Sequence, residues 1–350
     1  MIKISFVGDI NPGGVLTFTG GVSKDVIDLL AEADLRIGTL ESAIGSLKEL
    51  TFSEKKMIDS SAHIIYSPES SLAILKQLNI NVVSLANNHI GDLGVEGIRN
   101  TINKLRDNKI SYFGAGDNIT EASKPYVTTV KGKSICIFGF VKMGYKHLDI
   151  AGVDTPGVCA YNEEQVKNAI NDYKKKYDYV IVCPHWGKEN TLIPNKSVID
   201  VSKSLIDQGA DCVISSHTHV VQPILHYKNK IIAPSLGNFL FPDRYIDSPR
   251  VTVYPSEQQR NQRIPVTFTY PVVEELTLKK IPQLSRIGCI LNCVFNEVYC
   301  NEDVRYLKLD ENNFLNCCKI ANAHKLALWF ISVSMKYKPL YSLLSKIKSI

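Results

Sequence analysis

Short apolar runs alternate with amphipathic segments along most of this chain. The apolar runs predict strands, and the main ones cover residues 1–7, 35–40, 80–86, 111–113, 134–140, 179–183 and 212–215. The amphipathic segments have apolar residues three or four positions apart and predict helices at residues 24–33, 68–78, 95–108, 163–176 and 195–208. Strands that alternate with helices in this way indicate a layered α/β domain.

The pattern changes towards the C-terminal end. Residues 223–227, 230–233 and 266–270 predict further strands, which suggests a mixed sheet or two stacked sheets. Residues 241–263, rich in Pro, Arg, Gln, Asp and Ser, are predicted to form a long loop, and such loops are often functional. Because residues 276–350 are rich in Lys and Asn with apolar patches, we divide the chain into a domain at residues 1–275 and an extension at residues 276–350.

The extension is predicted to be mostly helical. Residues 324–350 mix Leu, Trp, Phe, Ile and Val with lysines, which is typical of one or two amphipathic helices, broken here near Pro339. Two interpretations stay open for this segment. A packing appendage is favoured, and the alternative is a helix that docks on a membrane surface or on a partner protein.

Composition restricts the class of protein. With 45% hydrophobic and 21% charged residues, the 350-residue chain has an ordinary globular composition. Its net charge of +5 supports an anionic partner only weakly, and no clustered basic footprint predicts binding to nucleic acid. The nine cysteines include no Cys-x-x-Cys pair, which argues against structural zinc and favours a reducing compartment. Without a signal peptide or an apolar run of ~20 residues, the chain is expected to be cytoplasmic, with peripheral membrane contact only through its C-terminal segment.

Several of the predicted strands are followed immediately by residues of the types that bind metals. Open α/β sheets bind ligands at the carboxyl ends of their strands, so these side chains are expected to meet at one edge. Such donors suit a two-metal hydrolytic site, in which a carboxylate bridges cations about 3.5–4 Å apart and water is activated for attack. The set comprises Asp9, Asn11, Glu41, Asn88, His89, His185, His217 and His219.

Each member of this set also has a structural explanation when it is taken alone. The His217-x-His219 pair can arise by chance, His185 can be a satisfied core histidine, and Asn88-His89 can be a turn. Together, so many strand-end donors favour a metal site over these separate structural roles.

Seven motifs follow one another in a specific order. They are Gly8-Asp9-Ile10, Leu40-Glu41-Ser42, Ala86-Asn87-Asn88-His89-Ile90-Gly91-Asp92-Leu93-Gly94, Gly114-Ala115-Gly116, His185-Trp186-Gly187-Lys188-Glu189, His217-Thr218-His219-Val220-Val221-Gln222-Pro223 and Ser235-Leu236-Gly237-Asn238-Phe239. Over residues 1–275 this order resembles the CapA family of poly-γ-glutamate capsule synthesis proteins, a branch of the calcineurin-like metallophosphoesterases.

The resemblance implies a four-layer α/β/β/α sandwich with a dinuclear site at the strand ends. By that pattern Asp9 and His219 would hold the first cation, and Glu41 would bridge to the second. Asn88, His185 and His217 would hold the second cation. His89 would serve as acid catalyst or electrostatic stabiliser beside the scissile group. Asp92 would orient His89, although a cap on the following helix is an equally good explanation for Asp92.

The sequence departs from the broader phosphoesterase pattern at two positions. Asn11 stands where an imidazole is usual, and Glu41 stands where an aspartate usually bridges. The first site is therefore richer in oxygen, which favours Mn²⁺ or Mg²⁺ over Zn²⁺, although Fe²⁺ or Zn²⁺ stays open for the pair of cations.

Candidate substrate-binding residues are Asn11, Trp186 and Asn238, with a turn role equally open for Asn238. In the 241–263 segment, Arg244, Tyr245 and Arg250 could contact an anionic substrate, but a solvated loop is favoured there.

The leading hypothesis is a metal-dependent hydrolase that cleaves a phosphoester or related bond in bacterial capsule or surface-polymer synthesis, with an anionic polymer or phosphorylated molecule as substrate. One alternative is a non-catalytic, metal-binding accessory of a polymer synthase. Another is a metal-dependent amide hydrolase that acts on a polyglutamate-like chain.

Overall fold

Two sheets dominate the computed structural model, which describes residues 1–47, 63–142, 148–248, 250–269, 273–296, 300–320 and 322–335. In the first sheet, the buried strand Ile2–Ile10 pairs in parallel with Leu35–Leu40 on one side and antiparallel with Ile287–Phe295 on the other. The spatial order is Gly21–Val22, Phe314–Cys317, Cys300–Leu309, Ile287–Phe295, Ile2–Ile10, Leu35–Leu40, Val82–Ser84 and Ser111–Phe113, with Asn238–Leu240 also paired to Ile2–Ile10.

The second sheet is built around the strands Lys133–Lys142 and Tyr179–Trp186, which run in parallel. Its spatial order is Leu225–Tyr227, Lys230–Ala233, Cys212–Ile214, Tyr179–Trp186, Lys133–Lys142 and Tyr126–Val130. Smaller sheets join Val251–Val253, Arg244–Asp247, Thr277–Lys279 and Val266–Thr267, then Gly157–Val158 and Ala115–Gly116, and finally Ala43–Ile44 and Tyr66–Ser67.

Helices cover the outer face of each sheet. The α-helices are Lys24–Ala31, Leu72–Gln77, Gly94–Asp107, Ile119–Ala122, Glu163–Lys174, Lys196–Asp207, Glu257–Arg260 and Asn322–Ser334. Short 3₁₀ turns lie at Gly14–Thr17, Glu69–Ser71 and Leu284–Arg286. Asn162 caps the helix that follows it, because its side chain accepts a hydrogen bond from the backbone N–H of Gln165.

Three apolar layers fill the space between these elements. Between the sheets, Phe6 of the first packs with Ile137 and Ile181 of the second. A second layer joins the outer face of the first sheet to helices such as Gly94–Asp107. A third layer joins the second sheet to Glu163–Lys174 and Lys196–Asp207. The predicted α/β/β/α sandwich is therefore confirmed.

The mostly helical character predicted for residues 276–350 is wrong for most of the part that the structure describes. Strands Ile287–Phe295, Cys300–Leu309 and Phe314–Cys317 occupy this region and extend the first sheet. Ile287–Phe295 is buried on both faces, so it lacks the apolar–polar alternation that identifies a half-buried strand in a sequence.

The long loop predicted at residues 241–263 is also wrong. The segment contains strands Arg244–Asp247 and Val251–Val253 and the helix Glu257–Arg260. Asp243 is buried, and its Oδ1 accepts hydrogen bonds from Arg286 Nη2 at 2.5 Å and from the backbone N–H of Ile281 at 2.8 Å. A polar residue of this segment is therefore buried and paired with groups from residues 281–286, which its composition alone did not indicate.

The helix Asn322–Ser334 leaves several large apolar side chains in solvent. Leu326, Trp329 and Phe330 are 62%, 59% and 46% exposed, whereas Leu328 and Ile331 are buried. The rest of the predicted amphipathic segment, with its break at Pro339, lies outside the described residues. Among the described helices, none combines the length and the apolar character needed to cross a bilayer.

Candidate metal centre

The carboxyl ends of strands from both sheets meet at one edge of the sandwich. The first sheet supplies Asp9, Glu41 and Asn88, and the second supplies His185, His217 and His219. Hydrogen bonds join the sheets there: for example, Thr39 Oγ1 lies 2.9 Å from Ser216 Oγ, and the backbone N–H of His217 donates to Asp9 Oδ2 at 3.2 Å. The predicted meeting of the strand-end donors at one edge is therefore what the structure shows.

One group of donors, here called the two-histidine pocket, consists of Glu41, Asn88, His185 and His217. His185 Nε2 lies 2.9 Å from Asn88 Oδ1, 3.1 Å from His217 Nδ1 and 3.4 Å from Glu41 Oε1. A ring nitrogen can donate at most one hydrogen, so three electron-rich atoms around it exceed what hydrogen bonding can use. A divalent cation, which binds several such atoms at once, suits this arrangement.

The second group, here called the aspartate pocket, consists of Asp9, Glu41 and His219. His219 Nδ1 lies 3.5 Å from Asp9 Oδ2 and 3.8 Å from Glu41 Oε2. In each pocket, one ligand atom from every carboxylate and imidazole lies within 4.8 Å of the others. Glu41 belongs to both pockets, with Oε1 towards one and Oε2 towards the other.

The surroundings of the buried carboxylate oxygens show whether these pockets suit cations. Asp9 and Glu41 have no exposed surface, and Asp9 Oδ1 and both Glu41 oxygens find no hydrogen-bond donor among the described residues. Desolvated carboxylate oxygens without partners are costly, and a bound cation compensates that cost. The donor set therefore fits two divalent cations that share Glu41, and the role of each residue as a ligand stays a prediction.

The imidazoles of the two pockets have opposite electrostatics. Burial lowers the pKa of His185 to about 3, and burial also lowers the pKa of His217 well below its usual value, so both rings are neutral as metal ligands must be. Burial opposes protonation of His219 as well, but the Glu41 and Asp9 carboxylates outweigh it and raise the pKa of His219 to about 9. Burial, with help from Glu41, raises the pKa of Asp9 to about 7.

Backbone strain marks the loop that carries two of these histidines. His217 and His219 have φ angles of 105° and 59°, which are uncommon for residues other than glycine. Strain of this kind costs on the order of 1–3 kcal/mol per residue and is concentrated at functional sites. The strained loop places the His219 ring nitrogen Nδ1 3.5 Å from Asp9 Oδ2 and the backbone N–H of His217 3.2 Å from the same oxygen.

His89 stands beside the pockets and contacts the predicted carboxylate. Its Nδ1 lies 2.7 Å from Asp92 Oδ2, which also accepts the backbone N–H of Ile65. Burial disfavours the charged ring, but Asp92 outweighs that effect and raises the pKa of His89. The helix Gly94–Asp107 begins without a side-chain cap from Asp92, so of the two explanations for Asp92 the structure favours contact with His89.

Trp186 does not line the site, which corrects the prediction that it binds substrate. Successive side chains of a strand point to opposite faces, so Trp186 points away from the face that carries His185. It is 1% exposed and packs against Phe140, with ring centroids 5.6 Å apart, in the layer under the outer helices.

The two predicted substrate-binding asparagines are both held by the protein. Asn11 Oδ1 accepts hydrogen bonds from Gly13 N and Ser67 Oγ, whereas its Nδ2 has no partner among the described residues. A substrate contact through that nitrogen stays a prediction. Asn238 Oδ1 lies 2.9 Å from His219 Nδ1 and its Nδ2 donates to Ser285 O, so Asn238 belongs to the rim of the aspartate pocket rather than to an open surface.

Two further charged residues near the site are Arg244, which differs from expectation, and Glu189. Arg244, which was favoured as part of a solvated loop, is 2% exposed and lies directly across from Lys279 in a small sheet. Burial raises the pKa of Glu189, but the nearby imidazoles of His219 and His217 outweigh it and lower that pKa.

Ser216 was not predicted to have a role, although its Oγ contacts His185 Nδ1 at 3.0 Å. Its position directly before His217 was the one signal in the sequence that could have identified it.

Fold and site together define a layered α/β protein with a candidate two-cation centre. Residues 3–243 match the family described as "Bacterial capsule synthesis protein PGA_cap". The chain belongs to this family of bacterial capsule synthesis proteins.

Known relatives have related names. The chain is 31% identical to the PGA biosynthesis protein CapA of Bacillus subtilis over 69% of this chain and 63% of that protein. It is 32% identical to the capsule biosynthesis protein CapA of Bacillus anthracis over 52% of this chain and 45% of that protein. The chain thus spans less than two thirds of the length of each of these relatives.

Among solved structures, an NAD nucleotidase of Haemophilus influenzae is 12% identical, with a TM-score of 0.45, over 96% of this chain and 63% of that chain. Because this TM-score is below 0.5, the α/β/β/α arrangement rests on the sheets and helices of the present chain.

Proposed function

We propose that this protein is a metal-dependent hydrolase of the phosphoesterase type that acts in the synthesis of a bacterial capsule or surface polymer. The observation that carries the proposal is the pair of buried donor clusters that share Glu41. Two cations held by one carboxylate are the arrangement used for in-line displacement at phosphorus. The names of the two CapA relatives support the connection to capsule polymers, and an anionic polymer or phosphorylated intermediate is the expected substrate.

The chain's own residues would divide the work. Glu41 would bridge the two cations. Asp9 and His219 would complete the aspartate pocket. The two-histidine pocket would be completed by Asn88, His185 and His217. Two divalent cations, of Mn²⁺, Mg²⁺, Fe²⁺ or Zn²⁺, would neutralise charge on the substrate and activate water when bound.

His89 would protonate the leaving group. Asp92 holds Nδ1 of the His89 ring and raises its pKa, which leaves Nε2 to donate a proton to a leaving oxygen. The contact with Asp92 also fixes which ring nitrogen faces the substrate.

A hydrolase panel tests the proposal. The purified protein, loaded separately with each of the four cations, is assayed against aryl phosphates, phosphodiesters and γ-glutamyl peptides. Activity with Mn²⁺ on a phosphoester that is lost with chelator and in His217→Ala supports the proposal. The matched control is His226→Ala, because His226 is exposed and pairs with Glu302 away from the pockets. Cleavage of γ-glutamyl peptides alone would favour the amide hydrolase instead, and no turnover with any cation would reject both.

A second candidate function is that of an accessory protein that docks on a polymer synthase or on a membrane surface. The exposed Leu326, Trp329 and Phe330 on the helix Asn322–Ser334 favour it, as does the name of a Mycobacterium tuberculosis relative, "Probable polyglutamine synthesis accessory protein Rv0574c". Deleting residues 324–350 separates the two functions. Loss of membrane or synthase association with unchanged hydrolysis would show that both functions exist side by side, whereas unchanged association would remove the docking role from this helix.

A further inference from the structure

We propose that Asn238 is a ligand of the cation in the aspartate pocket and donates its side-chain oxygen Oδ1. This inference rests on the two-cation centre of the proposed function. It adds an amide oxygen to the pocket formed by Asp9, Glu41 and His219.

The backbone places Asn238 beside Asp9. Strand Asn238–Leu240 pairs in parallel with Ile2–Ile10, and in this register Asp9 lies across from Asn238. The approach is so close that a Cβ on Gly8 would lie 1.8 Å from the carbonyl oxygen of Gly237, so only glycine fits at position 8. Gly237 itself turns the chain into the strand with a φ of 67°.

The protein fixes which end of the Asn238 amide faces the pocket. Nδ2 donates to the carbonyl oxygen of Ser285 at 2.9 Å, so the amide oxygen has to point the other way. Asn238 Oδ1 then lies 2.9 Å from His219 Nδ1, the same ring atom that faces the carboxylates of Asp9 and Glu41 at 3.5 and 3.8 Å. Neighbouring ligand atoms in a shell with bonds near 2.0–2.2 Å are about 3 Å apart, which these separations approach.

The two-histidine pocket contains the same combination. There, Asn88 Oδ1 lies 2.9 Å from His185 Nε2, and Glu41 lies 3.4 Å from the same nitrogen. Each pocket thus pairs one imidazole nitrogen with one amide oxygen and with one oxygen of Glu41.

The residue two positions after Asp9 cannot supply this oxygen. Asn11 Oδ1 already accepts hydrogen bonds from the backbone N–H of Gly13 at 3.1 Å and from Ser67 Oγ at 3.0 Å. Its amide nitrogen has no lone pair suited to a cation. Asn238, unlike Asn11, turns its side-chain oxygen towards the aspartate pocket, where it contacts His219 Nδ1.

Metal binding tests the inference without depending on turnover. Titration of the full-length metal-free protein with Mn²⁺, followed by calorimetry and by metal analysis, is expected to show two ions in the wild type. In Asn238→Ala the affinity of one ion should fall at least about tenfold while the other is unchanged. The matched control is Asn171→Ala, an exposed asparagine that contacts Gln208. Thermal unfolding of each metal-free variant checks that it is folded.

Two further results separate a ligand from a residue that only orients His219. Asn238→Asp keeps an oxygen at the position and should retain two ions. In a crystal structure with Mn²⁺, Oδ1 should lie within about 2.5 Å of the ion. Two ions bound equally well in Asn238→Ala, or an Oδ1 beyond bonding distance, would overturn the inference and leave the proposed function intact. Failure of the wild type to bind any cation would overturn both.

Discussion

The two pockets share Glu41 and yet place their imidazoles in opposite states. In the two-histidine pocket, burial keeps His185 and His217 neutral and ready to bind a cation. In the aspartate pocket, two carboxylates surround His219 so closely that its pKa is raised to about 9 and the ring carries a proton in the absence of metal. The proton on His219 partly replaces the positive charge that a cation would supply.

This difference predicts different preferences for metals. The two-histidine pocket offers two imidazole nitrogens and one amide oxygen beside the shared carboxylate, which suits Zn²⁺ or Fe²⁺. The aspartate pocket offers a second carboxylate and a single imidazole, which suits Mn²⁺ or Mg²⁺. Binding in the aspartate pocket must also release a proton, so its affinity depends more strongly on pH.

The largest effect is expected for the residue that the pockets share. Glu41→Gln removes the shared negative charge and leaves Asp9 as the carboxylate of the aspartate pocket, so both ions should bind more weakly and hydrolysis should fall about a thousandfold, the upper end for loss of one charge-stabilising group. Metal analysis and the hydrolase assay measure this. Glu164→Gln, on the exposed surface of a helix, is the matched control. One ion bound at wild-type affinity in Glu41→Gln would show that Glu41 does not bridge.

Variants that lack one histidine should abolish metal binding in one pocket and leave the other pocket able to bind its ion. His217→Ala is expected to lose the ion of the two-histidine pocket, and His219→Ala the ion of the aspartate pocket, so that each binds one Mn²⁺ instead of two. Calorimetric titration of the two variants measures the stoichiometry and the affinity that remains. The remaining affinities should differ, because the donor sets differ. Identical affinities in both variants would mean that the pockets are not chemically distinct.

The pH dependence of stability should have opposite signs in the two pockets. The pKa of His185 is about 3 in the folded protein and near 6.5 in the unfolded chain. The contribution of His185 to the free energy of unfolding is therefore present above about pH 6.5 and is lost as the pH falls. Between pH 7 and pH 5 the metal-free wild type should therefore lose about 2 kcal/mol relative to His185→Gln.

His219 should behave in the reverse way. Its folded-state pKa is raised to about 9, so its contribution is complete below pH 6.5 and is lost as pH rises towards 9. Relative to His219→Gln, the wild type should therefore lose stability as the pH rises from about 6.5 towards 9. Denaturant unfolding across the pH range measures both differences, and the same sign for the two histidines would contradict the contrast between the pockets.

Sequence reasoning predicted that the residues of this candidate centre lie together, because each stands at or just beyond the end of an apolar run that is visible in the chain, as with Asp9 and His185. It misplaced Trp186, because an adjacent position in a strand faces the opposite side of the sheet. The environment of Asn238 depends on pairing between strands more than 200 residues apart, which local patterns do not contain. The strand Ile287–Phe295 was missed because burial on both faces removes its alternation.

The smallest effect is expected for Ser216, which contacts the predicted ligand His185 but is not itself a predicted ligand. Ser216 Oγ lies 3.0 Å from His185 Nδ1 and 2.9 Å from Thr39 Oγ1, so it holds the ring with Nε2 towards the two-histidine pocket. Ser216→Ala should weaken the ion in that pocket about tenfold and leave the aspartate pocket unchanged, because such supporting contacts orient a ligand without binding the metal. Ser215→Ala is the matched control, since Ser215 Oγ is buried and makes no hydrogen bond with a described residue. Competitive titration with a coloured chelator resolves a change of this size, and an equal loss in both pockets would show that Ser216 supports the whole edge through Thr39 rather than His185 alone.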